Sequence, residues 1–235
     1  MRKKIVISTG AGISAESGMS TYRDAGGLWD NYPVMEVASD EGFARNPALI
    51  HQFYSNLRTK MSQTVMPNAA HRGLVELERD FDVHVITQNV DDLHERAGSS
   101  HVIHLHGELM KVRSMRHPER VYTLPCDQLT DKGLVTTVDT RDPYGDPVRP
   151  HIVFFGEAVP NMEPAARLAS QADVFVIIGT SLVVYPAAAL LHYVPEGTKV
   201  FYIDPRPVDV PAYVNVIAQN ATVGVKTLIE ELKKL

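Results

Sequence analysis

The sequence predicts an α/β fold, a parallel sheet with helices on both faces, joined to a small second lobe built from two insertions. Three observations lead there. Short β-branched runs recur at 5–8, 83–87, 102–105, 152–155, 174–178 and 200–203, several separated by helix-length amphipathic segments, which is the rhythm of parallel strands joined by crossover helices. The first run feeds directly into the glycine turn Gly10-Ala11-Gly12-Ile13-Ser14. Two stretches break the rhythm: 31–63 reads as helical, while 111–149 is rich in Pro, Asp, Thr and Arg and reads as loop.

Taken in order, the strand Ile5-Val6-Ile7 leads into Gly10 and Gly12. These glycines reach backbone angles closed to other residues and let main-chain N–H groups approach an anion, whose charge the positive end of the next helix favours. The turn is not the Gly-x-Gly-x-x-Gly dinucleotide fingerprint, because Ile13-Ser14-Ala15 follow Gly12. The first insertion carries Trp29 and Phe43 near its entry and a helix over 47–61 with Pro47 in its first turn. A helix over 68–79 and the strand 83–87 come next, and Gln88, Asn89 and Asp91 follow the strand's carboxyl end. The strand 102–105 runs into His106, and the second insertion follows. After it come the strand 152–155, a helix over 160–171, the strand 174–178 ending in Gly179-Thr180-Ser181, and a helix over 186–193 opening on Pro186. The strand 200–203 ends on Asp204, and a helix over 223–235 shows an apolar stripe of Leu228, Leu232 and Leu235. The core is expected over 1–30, 64–107 and 150–235 and the lobe over 31–63 and 108–149, one catalytic-size unit across 1–235. The lobe would lie over the carboxyl edge of the sheet, where ligands collect in doubly wound folds.

At 235 residues and 44% hydrophobic content the chain has ample material for a packed core. Its net charge of −5 argues against direct nucleic-acid binding and suits basic, lysine-bearing partners. The single Cys126 excludes an intramolecular disulfide and fits a reducing compartment, so a cytoplasmic location is expected; the chain is also expected to be a monomer. The apolar run after Met1-Arg2-Lys3-Lys4 stops at Ser8-Thr9-Gly10, too short for a secretory signal. The apolar stretch 174–194 is broken by Gly179-Thr180-Ser181 and Pro186, as strand, loop and helix require and a membrane span does not.

Six blocks carry chemistry together: Gly10-Ala11-Gly12-Ile13-Ser14, Thr21-Tyr22-Arg23, Thr87-Gln88-Asn89-Val90-Asp91-Asp92-Leu93-His94, Leu105-His106-Gly107, Val153-Phe154-Phe155-Gly156-Glu157 and Gly179-Thr180-Ser181. In order and approximate spacing the set resembles the sirtuins over nearly the whole chain. It is most similar to their bacterial, desuccinylase-like subclass through Ala25-Gly26-Gly27-Leu28-Trp29 and Pro67-Asn68-Ala69-Ala70-His71. The resemblance implies a Rossmann-like NAD-dependent protein-lysine deacylase, a deacetylase foremost, with NAD as co-substrate and an acylated lysine of a protein or peptide as partner. The products would be free lysine, nicotinamide and O-acyl-ADP-ribose.

The resemblance also distributes roles. Gly10, Ala11, Gly12 and Ser14 would meet the cofactor with Arg23, whose guanidinium can fold back over the loop, and with the second turn Gly179-Thr180-Ser181. Asp204, where sirtuins more often have asparagine, would accept the adenosine ribose hydroxyls, and Ala221 would contact adenine through its backbone. Gln88, Asn89 and Asp91 would bind nicotinamide and its ribose, with a carboxylate steadying the positive character that develops as nicotinamide departs. His106 is the candidate general base, since imidazole takes a proton near neutral pH; His71, His94 and His104 are assigned to packing or hydrogen bonding. Phe154, Phe155 and Gly156 with Val183 would flank an extended substrate and its lysine tunnel. Ala25, Tyr54 and Leu57 would line the acyl pocket.

Besides Asp204, the chain departs from the family at two places. Sirtuins usually bind zinc on two cysteine pairs in the second insertion, but here Ser114, Met115 and the lone Cys126 stand there, so no zinc and no metal ligand set is expected. Packing of Val112, Val121, Tyr122, Leu124 and Leu134 should hold the lobe. The subclass reads acidic acyl groups with Tyr-x-x-Arg, whereas Tyr54 is followed at the third position by Leu57 and only then by Arg58. One residue turns a helix by about 100°, which should point Arg58 away and favour acetyl or neutral acyl groups. The alternatives are desuccinylation or demalonylation, mono-ADP-ribosyl transfer or NAD hydrolysis, and a non-catalytic NAD-binding module.

Overall fold

A computed structural model describes residues 2–19 and 32–234. Arg23, Ala25 and Trp29 lie outside the described residues. Six parallel strands form the main sheet: β1 (Lys4–Thr9), β2 (Asp82–Thr87), β3 (Val102–His104), β7 (Val174–Ile178), β8 (Lys199–Ile203) and β9 (Val214–Ile217), in the spatial order β3-β2-β1-β7-β8-β9. In register, Ile7 of β1 sits between Val85 and Val176. The chain builds outward from β1 through β2 and β3, then returns to β1's other side with β7, so the order reverses between β1 and β7. That reversal opens the ligand crevice of doubly wound sheets.

β7 is buried along its whole length, which explains why it reads as an unbroken apolar run. On one face Ile5, Ile7, Val85 and Val176 join a cluster with Leu74 of α5 (Ala69–Leu77) and Leu228 of α8 (Ala221–Leu232). On the other, Val6, Phe175 and Tyr202 pack with Ala165 of α7 (Met162–Ala169) and Leu190 of a 3-10 helix, Ala187–Tyr193. The segment expected as an α-helix over 186–193 is thus the tighter 3-10 form. β9 was not expected. Its burial runs buried, exposed, exposed, intermediate, so this edge strand lacks the alternation that would mark it.

The second insertion differs more. The strand expected at 152–155 is β6 (Val148–Ile152), which ends earlier and belongs to a separate antiparallel sheet of order β5-β4-β6. β4 (Gly107–Ser114) and β5 (Val121–Thr123) occupy a stretch that reads as loop. Leu109, Val112 and Ser114 of β4 are buried, but Lys111 and Arg113 between them hide the pattern. The first insertion is helical as expected: α2 (Val34–Val37), α3 (Asp40–Arg45) and α4 (Pro47–Thr64). Asn46 caps α4 by accepting from Leu49 N, with Pro47 in the first turn.

Val112, Leu124, Leu129 and Val148 form the small lobe's own core, with Tyr122, Cys126 and Leu134 against it; Val121, expected inside, is exposed. Arg58 of α4 is fully buried and fastens this lobe to the helix, donating to Leu134 O at 2.7 Å, Thr136 Oγ1 at 2.8 Å and Ser55 Oγ at 3.0 Å. Among the described residues no helix is long and apolar enough to cross a membrane.

Candidate active site

The two glycine turns at the β1/β7 reversal interlock. Gly10 N donates to Ile178 O at 3.0 Å and Gly12 N to Gly179 O at 2.8 Å. A Cβ on Gly12 would fall 2.5 Å from Gly179 Cα, and Gly179 itself has φ +63°. Only glycine permits backbone to approach backbone this closely. The Gly10 and Gly12 N–H groups thus already have carbonyl partners. Those groups are spent on β7's turn, and what the glycines provide is a thin floor that lets a ligand come close. Asn68, which caps α5, steadies the turn by donating to Ile13 O at 2.8 Å and Ser17 Oγ at 3.0 Å. The sequence held a signal for it in the Pro67-Asn68 helix start, but not for the partner.

Beneath that floor the side chains after β2 make a closed polar network. Ser14 Oγ donates to Asp91 Oδ2 at 3.0 Å, and Asn89 Nδ2 donates to Ser14 Oγ and to Gly10 O, both at 3.1 Å. Leu93 N donates to Asp91 Oδ1 at 3.2 Å. Asp91 is 3% exposed, so its carboxylate lies under the crevice rather than projecting into it, and the Ser14 hydroxyl hydrogen is committed to that carboxylate. Burial pushes the Asp91 carboxyl up to about 6, against the opposing pull of the Leu93 and Ser14 hydrogen bonds. Gln88 spans the crevice wall to β7's turn, donating Nε2 to Thr180 Oγ1 at 3.2 Å. Thr180 is further fixed by Tyr202, whose hydroxyl donates to Thr180 O at 2.9 Å.

Two histidines from the strand end of β3 grip this loop. His106 Nδ1 donates to Gln88 O at 3.0 Å, which leaves Nε2 as the basic nitrogen. Burial holds the His106 imidazole below its ordinary value, so it is neutral and able to accept a proton at pH 7. His104 Nδ1 donates to Asn89 O at 2.9 Å and Nε2 to Glu95 Oε1 at 2.7 Å. Burial pulls His104 down, but Glu95 outweighs it and the imidazole sits above its usual value. Both nitrogens of His104 donate, so it is a charged strut that the residue type alone did not announce.

Asp204 stands at the end of β8 as expected, yet its Oδ1 already accepts from Arg206 N at 2.8 Å, which leaves Oδ2 for a ribose. Ala221 is the first residue of α8 and not part of the turn before it. Beside it Glu16 accepts from Thr222 N at 3.0 Å and Thr222 Oγ1 at 2.7 Å, tying the glycine turn to that helix. Ser181 is half-buried.

The acyl-side candidates divide. Tyr54, Leu57 and Phe154 are buried in one cluster with Phe43 and Phe53, the Tyr54 and Phe154 rings 6.1 Å apart. Phe155 and Val183 are 46% and 69% exposed. Phe154 thus lies inside the packed cluster, whereas Val183 lies at the surface. Phe155 spends its backbone on the lobe, donating N–H to Ala38 O at 2.8 Å and accepting from Asp40 N at 3.2 Å. Gly156 turns the chain at φ +96° with open space around it. Arg149 stacks 4.0 Å from the Phe154 ring and pairs with Glu157 Oε1 at 2.6 Å, while Glu157 Oε2 accepts from Phe154 N at 2.8 Å.

A profile of the Sir2 family matches residues 10–186. The chain belongs to the Sir2 family. An NAD-dependent protein deacylase of Bacteroides thetaiotaomicron is 54% identical to this Sir2 chain over 235 residues, covering 99% of the chain and 97% of the relative. One of Helicobacter pylori is 45% identical over 232 residues, covering 98% and 95%. Among solved structures, a Sir2 homologue–NAD complex has 36% identity and a TM-score of 0.84, covering 99% of this chain and 90% of its own. A Sir2 mutant with a deacetylated p53 peptide and 3′-O-acetyl ADP-ribose has 30% identity and a TM-score of 0.80, covering 98% and 94%. The Sir2 fold, a parallel Rossmann-like sheet with a small antiparallel lobe, is the one described above.

Proposed function

We propose that this protein removes acyl groups from protein lysine side chains with NAD as co-substrate, acetyl foremost. The observation that carries the reading is His106, neutral, with Nδ1 spent on Gln88 O and Nε2 left to take a proton at the mouth of the β1/β7 crevice. The crevice suits NAD: a glycine-only floor where a Cβ would collide, a free Asp204 oxygen at the next strand end, and Gln88 bridging the two turns. Deacylase relatives and NAD- and ADP-ribose-bound neighbours support the same assignment.

When bound, NAD supplies a ribose carbon that the acyl oxygen can attack as nicotinamide departs. This chain's residues do the rest. Asn89, held by Gly10 O and Ser14, and Gln88 position the nicotinamide end. The buried Asp91 carboxylate would supply negative charge near the ribose carbon, where positive character develops as nicotinamide departs. His106 Nε2 draws the ribose hydroxyl proton. Arg23 would close over the phosphates and Ala25 would border the acyl group. Tyr54, Leu57 and Phe154 form the apolar wall on which a neutral acyl chain rests. Arg58 cannot serve a succinyl carboxylate without leaving Leu134 and Thr136, which favours acetyl and neutral longer acyl groups. The core and lobe divide near 31–63 and 108–149, and the lobe is held by its apolar core and Arg58 in place of a cysteine-bound zinc. A cytoplasmic monomer fits the single cysteine and the charge.

Incubating the protein with NAD, with and without an acetylated peptide, tests the proposal. Nicotinamide release that depends on the peptide is expected. Peptide-independent release would mean NAD hydrolysis, and no release would mean a binding module.

A further inference from the structure

At the amino-terminal end of the parallel sheet, remote from the crevice, β2 and the approach to β3 bring three metal-type ligands together. Alternation along β2 puts Asp82 and His84 on one face. The β2/β3 register pairs Val85 with Val102, so His101 stands beside His84, fixed by the bond from Val85 N to His101 O at 2.9 Å. His84 Nε2 lies 3.0 Å from Asp82 Oδ1. The His84 and His101 rings are 4.7 Å apart between centroids and tilted by 34°. One ligand atom from each of the three residues lies within 4.8 Å of the others.

A tetrahedral ion with bonds of about 2.0–2.2 Å holds its ligand atoms roughly 3.3 Å apart and two imidazole centroids about 5 Å apart. The observed spacings reach that arrangement by side-chain movements on the order of 1 Å. An Asp–His ion pair alone would account for the short contact, but not for a second imidazole placed at chelating distance. Asp82 and His101 border an open cavity of about 980 Å³, which gives an ion a route from solvent. Lys4 is the nearest competitor: its Nζ is 3.8 Å from Asp82 Oδ2 and is also held by Gln171 Oε1 at 3.2 Å. It engages Oδ2, whereas the His84 contact is made by Oδ1.

We propose that Asp82, His84 and His101 form a binding site for a borderline transition-metal dication of the zinc class, with the fourth position open to water. Two imidazoles and one carboxylate suit such an ion, whereas magnesium and calcium demand oxygen ligands. The bound ion would cross-link the last two strands on one side of the sheet. β2 spans about 15–20 Å between this cluster and the residues after Thr87, so the ion takes no part in the deacylation chemistry. It is also distinct from the cysteine-bound zinc that sirtuins usually carry in the lobe.

The test is a titration of untagged protein with Co²⁺, followed by visible absorption and calorimetry, and repeated on His101→Ala and Asp82→Asn. One saturable equivalent is expected, weakened at least tenfold in each variant and unaffected by millimolar Mg²⁺. All three proteins should release nicotinamide at the same rate. Absence of saturable binding, or unchanged affinity in both variants, would overturn the proposal. His101 is exposed, so its variant folds on any reading of the site.

Discussion

Replacing Asp91 with asparagine keeps the side chain's shape and removes its charge, and the structure sets the size of the effect. Burial lifts the carboxyl from 3.8 to about 6, which at about 1.4 kcal/mol per tenfold change in proton affinity amounts to about 3 kcal/mol. The folded-state value is the higher one, so the direction is fixed. Below the unfolded value the group is protonated in both states and costs the fold nothing. As pH rises that advantage is lost, and the full penalty of the buried charge is present once pH has passed about 6. Relative to wild type, Asp91→Asn should gain about 1.5 kcal/mol of stability between pH 5 and pH 7.5, whatever constant offset the altered bond to Ser14 introduces. Urea denaturation of both proteins at the two pH values measures this difference directly. The same variant should lose nicotinamide release by roughly 10²–10³-fold at pH 7.5 if, as proposed, the Asp91 charge steadies the ribose. Wild-type activity should show an acid limb near the Asp91 value of about 6. Stability curves that stay parallel across this pH range would refute the assignment of Asp91 as a buried anion, and unchanged turnover would refute its electrostatic role.

Three further outcomes are expected. His106→Ala should lose at least about 100-fold in peptide-dependent nicotinamide release while calorimetry still detects NAD binding; near-normal turnover would remove it as the base. Gly12→Ala brings a Cβ within 2.5 Å of Gly179 Cα, where only backbone can yield, so both melting temperature and NAD affinity should fall, the latter at least tenfold. On one peptide, kcat/KM should rank acetyl and butyryl above succinyl. Arg58→Ala should cost about 2–4 kcal/mol in denaturation by stranding Leu134 O and Thr136 without changing that ranking, and a succinyl preference lost in this variant would show that Arg58 reads the acyl group after all.

The parallel sheet was legible because its strands advertise themselves: β7 is apolar throughout, and each candidate loop follows directly on a strand's carboxyl end. The antiparallel lobe was not, since Lys111 and Arg113 on the outer face of β4 mask the buried Leu109 and Val112. Sequence also placed Gln88, Asn89, Asp91 and His106 near one another, but could not tell which line the crevice and which lie beneath it. That distinction is made by Ser14, a residue 77 positions from Asp91 that takes up its carboxylate. Likewise Phe154 and Phe155 are equivalent in sequence; only the bonds of Phe155 to Ala38 and Asp40 turn one inward and leave the other exposed. Glu95 gives His104 its charge from nine residues away, a pairing that spacing alone does not announce.

The Arg58 fastening changes what can damage this molecule. A lobe tied to α4 by the Arg58 guanidinium on Leu134 and Thr136, and by His51 and Ser55 on Thr136, has no thiolate in that tie for peroxide to oxidise. Its vulnerability moves to agents that compete for amide and hydroxyl bonds. Moderate urea should release the 134–136 segment ahead of the parallel sheet, and hydrogen exchange there would register the lobe lifting while the sheet amides remain protected.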